Sequence, residues 1–191
     1  MRTFIAVEIP DGQKKIVYNS IQEFKRLNLP VKWVAYENLH ITLKFLGEID
    51  ENKLSQILPV LSEISNRTKS FTMQLENFGC FPSIRNPRVL WIGVSQGSDE
   101  SISLATELEN SLVKYGFKKE NKKFHPHLTI GRIKTFCKVE HIINRTIKTD
   151  PFNVNELILF KSTLLPAGAI YEKIKIFPLC PSEEHSQGFH P

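Results

Sequence analysis

The feature that most constrains the fold of this chain is the pattern His-apolar-Thr-apolar, which occurs at residues 40–43 and again at residues 127–130. In a β-strand, side chains two positions apart lie on one face. Each copy therefore presents an imidazole and a hydroxyl together, and its apolar residues point into a core. Composition alone predicts about 0.3 His-x-Thr triplets by chance in such a chain. The two copies thus predict two half-buried strands with similar surroundings.

The rest of the sequence alternates between strand and helix patterns. Strands are predicted at 1–8, 31–34, 71–75, 88–94, 154–162 and 170–177, and the second motif strand at 126–133. Helices are predicted after Asp11, after Asp50, over 99–115 and weakly over 139–147, and Gly and Pro predict a loop over 78–87. Strands with intervening helices indicate an α+β or mixed α/β fold. Because a helix precedes each motif strand, duplication of a half is a hypothesis that would place the motifs across a cleft.

Size and composition set outer limits on the class of protein. The 191 residues fit one domain, which we expect to span 1–180, with a mobile tail over 181–191. No apolar run approaches the ~20 residues that cross a bilayer, and the N-terminus becomes charged too soon for a signal peptide. Three widely spaced cysteines are typical of a reducing cytoplasm. The net charge of +5 favours an anionic partner without establishing nucleic-acid binding.

The chemistry of the repeated residues indicates acid–base catalysis at a phosphodiester. At neutral pH one imidazole can accept a proton from water while a second donates one to the leaving oxygen, so His40 and His127 can act together. The hydroxyls of Thr42 and Thr129 can hold the non-bridging oxygens. Neither motif has a neighbouring Asp, Glu or Cys that would complete a metal site, so we expect neither a metal nor another cofactor. The two histidines predict a bell-shaped pH profile with its maximum near neutrality.

The segments 40–47 and 124–132 resemble the paired motifs of the 2H phosphoesterase superfamily. Similarities at 31–33, 81–91 and 162–171 select within it the RNA 2',3'-cyclic phosphodiesterase family, also called the 2'-5' RNA ligase family. The resemblance implies two similar α+β lobes, each with an antiparallel-rich sheet and outer helices, around a central cleft. It also implies hydrolysis of 2',3'-cyclic phosphate RNA ends, or of cyclic nucleotides, to 2'-phosphates, and in some members reversible 2'-5' ligation. His40 would be the proton donor and His127 the acceptor.

Three residues that flank the motifs are candidates for substrate binding. The resemblance favours a phosphate-facing role for Arg132, although regular alternation would turn it away from His127 unless a twist or bulge intervenes. Lys44 has the strand parity of His40 and could add positive charge, or it could be an exposed residue. Phe45 could stack the terminal base, as could Trp33, Tyr36 and Phe81, with core packing as the alternative for each.

Two other functions remain open at this stage. The cleft could bind RNA without chemistry, although binding alone needs Lys and Arg more than paired imidazoles. Alternatively, another 2H activity could open ADP-ribose cyclic phosphate or trim oligonucleotide ends. Neither the oligomeric state nor the physiological RNA follows from the sequence, and we expect a monomer.

Overall fold

A computed structural model describes residues 1–182 of the chain. The first half contains β1 (Arg2–Glu8), α1 (Asp11–Lys25), β2 (Val31–Trp33), β3 (His40–Glu48), α2 (Glu51–Arg67) and β4 (Phe71–Ser83). The second half contains β5 (Asn86–Gln96), α3 (Ser98–Leu112), β6 (His127–Ile133), α4 (Glu140–Ile143), β7 (Phe152–Val154), β8 (Glu156–Leu165) and β9 (Gly168–Pro178). Short 3-10 helices at Tyr36–Asn38 and Val113–Tyr115 complete the described elements.

The strands form two antiparallel sheets, and each sheet carries one motif strand. The first sheet has the order β3-β1-β8-β9, and the second has the order β2-β6-β5-β4-β7. The expected α+β fold of two lobes is confirmed. The lobes are not consecutive halves of the chain, because β8 and β9 return to the first sheet and β2 belongs to the second.

The main apolar core lies on one face of each sheet, under the helices. Val17, Ile21 and Phe24 are the buried stripe of α1. Helix α2 is capped by the predicted Asp50, whose carboxylate accepts a hydrogen bond of 2.7 Å from the backbone N–H of Lys53. A smaller cluster of Phe4, Ala6, Ile158 and Phe160, with Tyr171 against it, is separate from this core. In β1, Phe4 and Ala6 alternate with the core residues Ile5 and Val7. The small cluster therefore occupies the opposite face of the first sheet.

The prediction of a loop over 78–87 was wrong, because Phe78–Ser83 belongs to β4 and Asn86 and Pro87 belong to β5, so this segment is the closed end of the β4–β5 hairpin. Gly79 indicates close packing: a Cβ there would lie 2.1 Å from a ring atom of Trp91 on β5. Pro82 and Pro87 are paired at the end of the hairpin. There β4 has no partner on its other side, because β7 pairs only with Phe71–Met73, so a missing N–H is tolerated.

Three further differences concern short elements and the C-terminus. The helix predicted over 139–147 is confined to α4, and β7 begins before the strand predicted at 154–162. Most of the predicted tail lies outside the described residues. Of its first two residues, Ser182 donates its backbone N–H to the hydroxyl of Ser70 at 3.0 Å. Within residues 1–182, none of the helices has the length and apolar character needed to cross a bilayer.

Candidate active site

The two motif strands share one irregularity that decides which side chains lie together. Thr42 pairs with Ala6 and Lys44 with Ile5, so Leu43 is an extra residue in β3. Thr129 pairs with Trp91 and Gly131 with Leu90, so Ile130 is the extra residue in β6. The first seven residues of both strands consequently have the same sequence of buried, half-buried and exposed positions.

The bulge in β3 corrects the prediction for Lys44. Directly paired residues share a face, so Lys44 lies with the core residue Ile5 on the face opposite His40 and Thr42. Its ammonium is buried, forms an ion pair with Glu109 of α3, and donates to the carbonyl of Lys118 at 3.1 Å. Lys44 therefore anchors α3 to the first sheet and adds no charge beside the histidines. The same bulge turns Phe45, which is 58% exposed and pairs with Phe4, onto the face of His40 and Thr42. We call the face of each sheet that carries the histidine and threonine of its motif the motif face.

The bulge in β6 brings Arg132 onto the face of His127. Arg132 pairs with Val89 and Thr129 pairs with Trp91, and Val89 and Trp91 are two apart on β5. Arg132, Thr129 and His127 thus form one row, which a regular strand would not permit. Gly131 allows the neighbouring β2 to approach, because a Cβ there would lie 2.6 Å from Val31.

His40 is held in a fixed orientation by hydrogen bonds at both ring nitrogens. Its Nδ1–H donates to the carbonyl of Asn38 at 2.7 Å, and Nε2 lies 2.9 Å from the Thr42 hydroxyl, which donates to the neutral ring. Phe4 stacks on the imidazole with centroids 4.9 Å apart, and Tyr171 meets it edge-on at 5.2 Å. Nε2 is therefore the atom available for proton transfer.

His127 repeats this arrangement with fewer restraints. Its Nδ1–H donates to the carbonyl of His125 at 2.6 Å, again two residues earlier in the chain. Phe81 packs edge-on against the ring at 5.0 Å, and Trp91 lies 6.4 Å away. Thr129 shares the face of His127, but no hydrogen bond joins the two in the part of the chain that the structure describes. The Nε2 of His127 is thus free to bind water.

Burial keeps both imidazoles neutral at pH 7. It lowers the pKa of His40 from 6.5 to about 4, opposed by the hydrogen bond to the Asn38 carbonyl, while the charge of His127 lowers this pKa further. Burial likewise lowers the pKa of His127, and the charges of His125 and Arg132 add to this effect. β3 contacts β6, and the charge of His127 contributes to the lowered pKa of His40, so we infer that the two motif faces line one site.

The aromatic walls of this site were only partly predicted. Phe4 and Tyr171, which contact His40, and Trp91, which lies by His127, were not among the sequence-based site candidates. For Phe4 on β1 and Tyr171 on β9, the available signal was the alternation of side chains along each strand. Phe81 lies beside His127, and base stacking on it stays a prediction. Trp33 instead stacks on Phe24 in the core, and the Tyr36 hydroxyl is hydrogen-bonded to Asp11.

The described residues offer neither a cluster of metal ligands nor a disulfide. No cluster of three or more His, Cys, Asp or Glu side chains that could hold a metal ion occurs among residues 1–182. Cys80, Cys137 and Cys180 are free thiols.

Comparisons with known proteins agree with this geometry. The family model described as LigT like Phosphoesterase matches residues 7–91 and 92–171, so each matched segment contains one motif. The chain is 37% identical over 174 residues to an RNA 2',3'-cyclic phosphodiesterase of Thermotoga maritima, covering 90% of this chain and 92% of the relative. It is 38% identical over 180 residues to the enzyme of that name from Methanocaldococcus jannaschii, covering 92% and 99%. The crystal structure of E. coli LigT complexed with 3'-AMP superposes with a TM-score of 0.72 at 26% identity, covering 93% and 97%.

Proposed function

The chain belongs to the LigT-like phosphoesterase family, and we propose that it is an RNA 2',3'-cyclic phosphodiesterase whose acid and base are His40 and His127. The observation that carries this proposal is the pair of bulged motif strands, each of which directs one imidazole Nε2 and one threonine into a shared site. The relatives' names supply the reaction, which is hydrolysis of a 2',3'-cyclic phosphate.

The reaction needs one proton accepted and one donated. His127 takes a proton from water at Nε2 while the water oxygen forms a bond to phosphorus. The bond from phosphorus to O3' breaks, and protonated His40 gives its Nε2 proton to O3', leaving a 2'-phosphate. Both rings keep Nδ1–H on a backbone carbonyl throughout, so the reacting nitrogen does not change. Exchange with solvent then returns the proton from His127 to His40.

The low pKa of His40 is compatible with its role as the acid. In the free protein the ring is neutral at pH 7, because burial disfavours the charged form. A bound cyclic phosphate places a negative charge beside Nε2 and favours the imidazolium, so the acid is charged in the complex. A buried imidazolium whose intrinsic pKa is low also gives up its proton readily to O3'. We therefore expect substrate binding to be accompanied by proton uptake.

The remaining motif-face residues can bind the phosphate and the nucleoside. When His40 is protonated, Nε2–H becomes a donor and releases the Thr42 hydroxyl to donate to a non-bridging oxygen. Thr129 can donate to the other oxygen, and Arg132 supplies positive charge on the same row. Phe45 presents an exposed ring beyond Thr42 on which a terminal base can stack.

Domain organisation and location are further parts of the proposal. We propose that residues 1–180 form one bilobal domain, since the N-terminal β1 and β3 and the C-terminal β8 and β9 form one sheet, in which β1 pairs with β8. The free thiols support a reducing, cytoplasmic location. We propose that the protein acts as a monomer, because a single chain supplies both histidines.

The test is hydrolysis of a 2',3'-cyclic nucleotide and of RNA with that end, in EDTA, with the product resolved as a 2'- or 3'-phosphate. Metal-independent turnover to the 2'-phosphate supports the proposal. RNA binding without turnover would indicate a binding protein. Turnover of ADP-ribose cyclic phosphate or plain oligonucleotide ends alone would indicate another 2H activity, and rejoining of product ends would add ligation.

A further inference from the structure

Two cations lie directly opposite each other at one end of the site. Lys32 of β2 pairs with Arg132 of β6 in the antiparallel register, and both side chains are exposed. Like charges on opposite residues of an antiparallel pair destabilise a sheet. Neither side chain has an acidic partner within residues 1–182. The pair thus costs stability unless an anion binds there.

Two other exposed lysines on strands do face acids. Lys161 of β8 pairs with Glu172 of β9, with 3.4 Å between Nζ and Oε2. Lys173 of β9 similarly reaches Glu8 of β1 at 2.6 Å. An exposed strand cation without an acid also occurs at Lys175 of β9, which pairs with Leu159, but among the registers of the described strands only Lys32 and Arg132 place two cations opposite each other. The unmatched pair therefore indicates a ligand of negative charge.

Lys32 lies on the motif face but away from the reacting phosphate. Because it pairs with Arg132, it shares the face of Thr129 and His127. With one residue of β6 taken up by the bulge, Arg132 lies roughly 13 Å along the strand from His127. Lys32 lies one strand further out, about 5 Å from Arg132 between Cβ atoms. Arg132 can reach back toward the histidines, and Lys32 is placed for a second group.

A third cation from the other lobe faces the same end of the site. Arg2 of β1 pairs with Ser162, which in turn pairs with Tyr171, so Arg2 lies on the motif face of the first sheet. Burial raises the pKa of Tyr171, and the charges of Arg132 and Arg2 oppose that rise. Both guanidinium charges therefore act on Tyr171. Arg2 lies opposite Glu48 of β3, whose carboxylate is 3.3 Å from the N-terminal ammonium, and no ion pair joins Arg2 to an acid among the described residues.

We propose that Lys32 and Arg132, faced by Arg2, form a second phosphate site that binds the phosphodiester on the 5' side of the terminal nucleotide. This inference rests on the proposed cyclic phosphodiesterase function. An RNA end carries such a phosphodiester one nucleotide from the cyclic phosphate, whereas a free cyclic mononucleotide does not. The site makes an RNA end a better substrate than a mononucleotide, without reading any base.

The experiment compares three substrates: a cyclic mononucleotide, a dinucleotide with a 2',3'-cyclic end, and the same dinucleotide with a neutral methylphosphonate linkage. The variant is Lys32→Gln. The matched control is Lys114→Gln, which removes one exposed positive charge from the 3-10 helix after α3. For the wild type we expect kcat/KM to be about fivefold or more higher with the charged than with the neutral linkage, as expected for loss of a phosphate contact.

Lys32→Gln should remove most of this difference and leave mononucleotide kinetics unchanged, whereas Lys114→Gln should keep the difference. The slope of log Kd against log salt for the dinucleotide product should fall by about 0.7 in Lys32→Gln. Its melting temperature should not drop, since the substitution relieves repulsion. Equal wild-type values for the two linkages, or an undiminished difference in Lys32→Gln, would overturn the second site.

Failure of the proposed function has a different signature, which is no turnover of the mononucleotide by wild type. In that case the second site is still decided by calorimetric binding of the 2'-phosphate dinucleotide with each linkage. Tighter binding of the charged linkage that depends on Lys32 would keep the site, and equal binding would remove it.

Discussion

The strands β3 and β6 have the same backbone design and different surroundings. Both place a bulge directly after the threonine, and both fix the histidine through Nδ1–H and the carbonyl two residues earlier. His40, however, is stacked on Phe4 and hydrogen-bonded to Thr42, whereas His127 lies beside Phe81 with an open Nε2. The backbone thus duplicates the position of a proton-transfer group, and the neighbouring side chains distinguish the two roles.

Equivalent positions after the bulges differ even more. The residue that follows the bulge on the core face is Lys44 in one strand and Gly131 in the other. Lys44 ties α3 to the first sheet through Glu109, and Gly131 admits β2 to the second sheet. The next residue returns to the motif face, and it is Phe45 in one lobe and Arg132 in the other. One lobe therefore offers the site an aromatic ring and the other a positive charge.

The largest effect is expected from removing either imidazole. His40→Ala and His127→Ala should each reduce cyclic phosphate hydrolysis by at least ~10²-fold, the lower range for proton transfer. The double variant should lose much less than the product of the two losses, because the residues act as a unit. Steady-state kinetics on folded variants checks this. Near-wild-type turnover of either single variant would remove the paired mechanism.

Removing either threonine hydroxyl should reduce activity less than removing a histidine, and by a similar factor at both positions. Thr42→Val and Thr129→Val should each lower kcat by roughly 10-fold, since each loses one donor to a developing oxyanion. Thr→Ser keeps the donor and should be milder at both positions. If Ser and Val variants lose the same activity, the methyl group and not the hydroxyl carries the effect, and the two strands would differ from their proposed symmetry.

The pH at which kcat/KM is highest should be lower than the neutral pH that the sequence alone predicts. The productive form has His40 charged and His127 neutral, while burial lowers the pKa of both. As pH rises, His40 loses its proton, and as pH falls, His127 gains one. The maximum of kcat/KM, which reports the free enzyme, should therefore lie below pH 6.5, the ordinary pKa of an imidazole. The kcat profile should peak nearer neutrality, because bound phosphate raises both pKa values. Coincident maxima at pH 7 would contradict this account.

The smallest effect is expected at Lys44. Lys44→Met removes the ion pair with Glu109 on the core face, so thermal stability should fall while kcat/KM changes by less than about 2-fold. Parallel measurement of melting temperature and kinetics separates the two. A large loss of kcat/KM in a stable variant would return Lys44 to the site.

The motif residues and most elements could be predicted because they depend on local periodicity. His40, Thr42, His127 and Thr129 obey strand alternation, and Asp50 obeys helix capping. The bulges could not be predicted, since an extra residue leaves no mark in a single apolar pattern. The extra residue in β3 turns Lys44 onto the core face, whereas regular alternation would place it beside His40. The extension of β4 over 78–83 was missed because Gly79, which a sequence pattern marks as a turn residue, makes room there for Trp91 on the paired strand β5.

The most direct test of the assigned roles uses a cyclic substrate whose 3' bridging oxygen is replaced by sulfur. A thiolate leaves without protonation far more readily than an alkoxide, since a thiol has a pKa near 8.5. If His40 is the acid, the deficit of His40→Ala should shrink at least ~10-fold on the sulfur substrate, the scale of a lost proton transfer. The deficit of His127→Ala should persist, because water must still be activated. Rescue of His127→Ala instead would reverse the roles, and equal rescue of both or of neither would contradict the division of labour between the two strands.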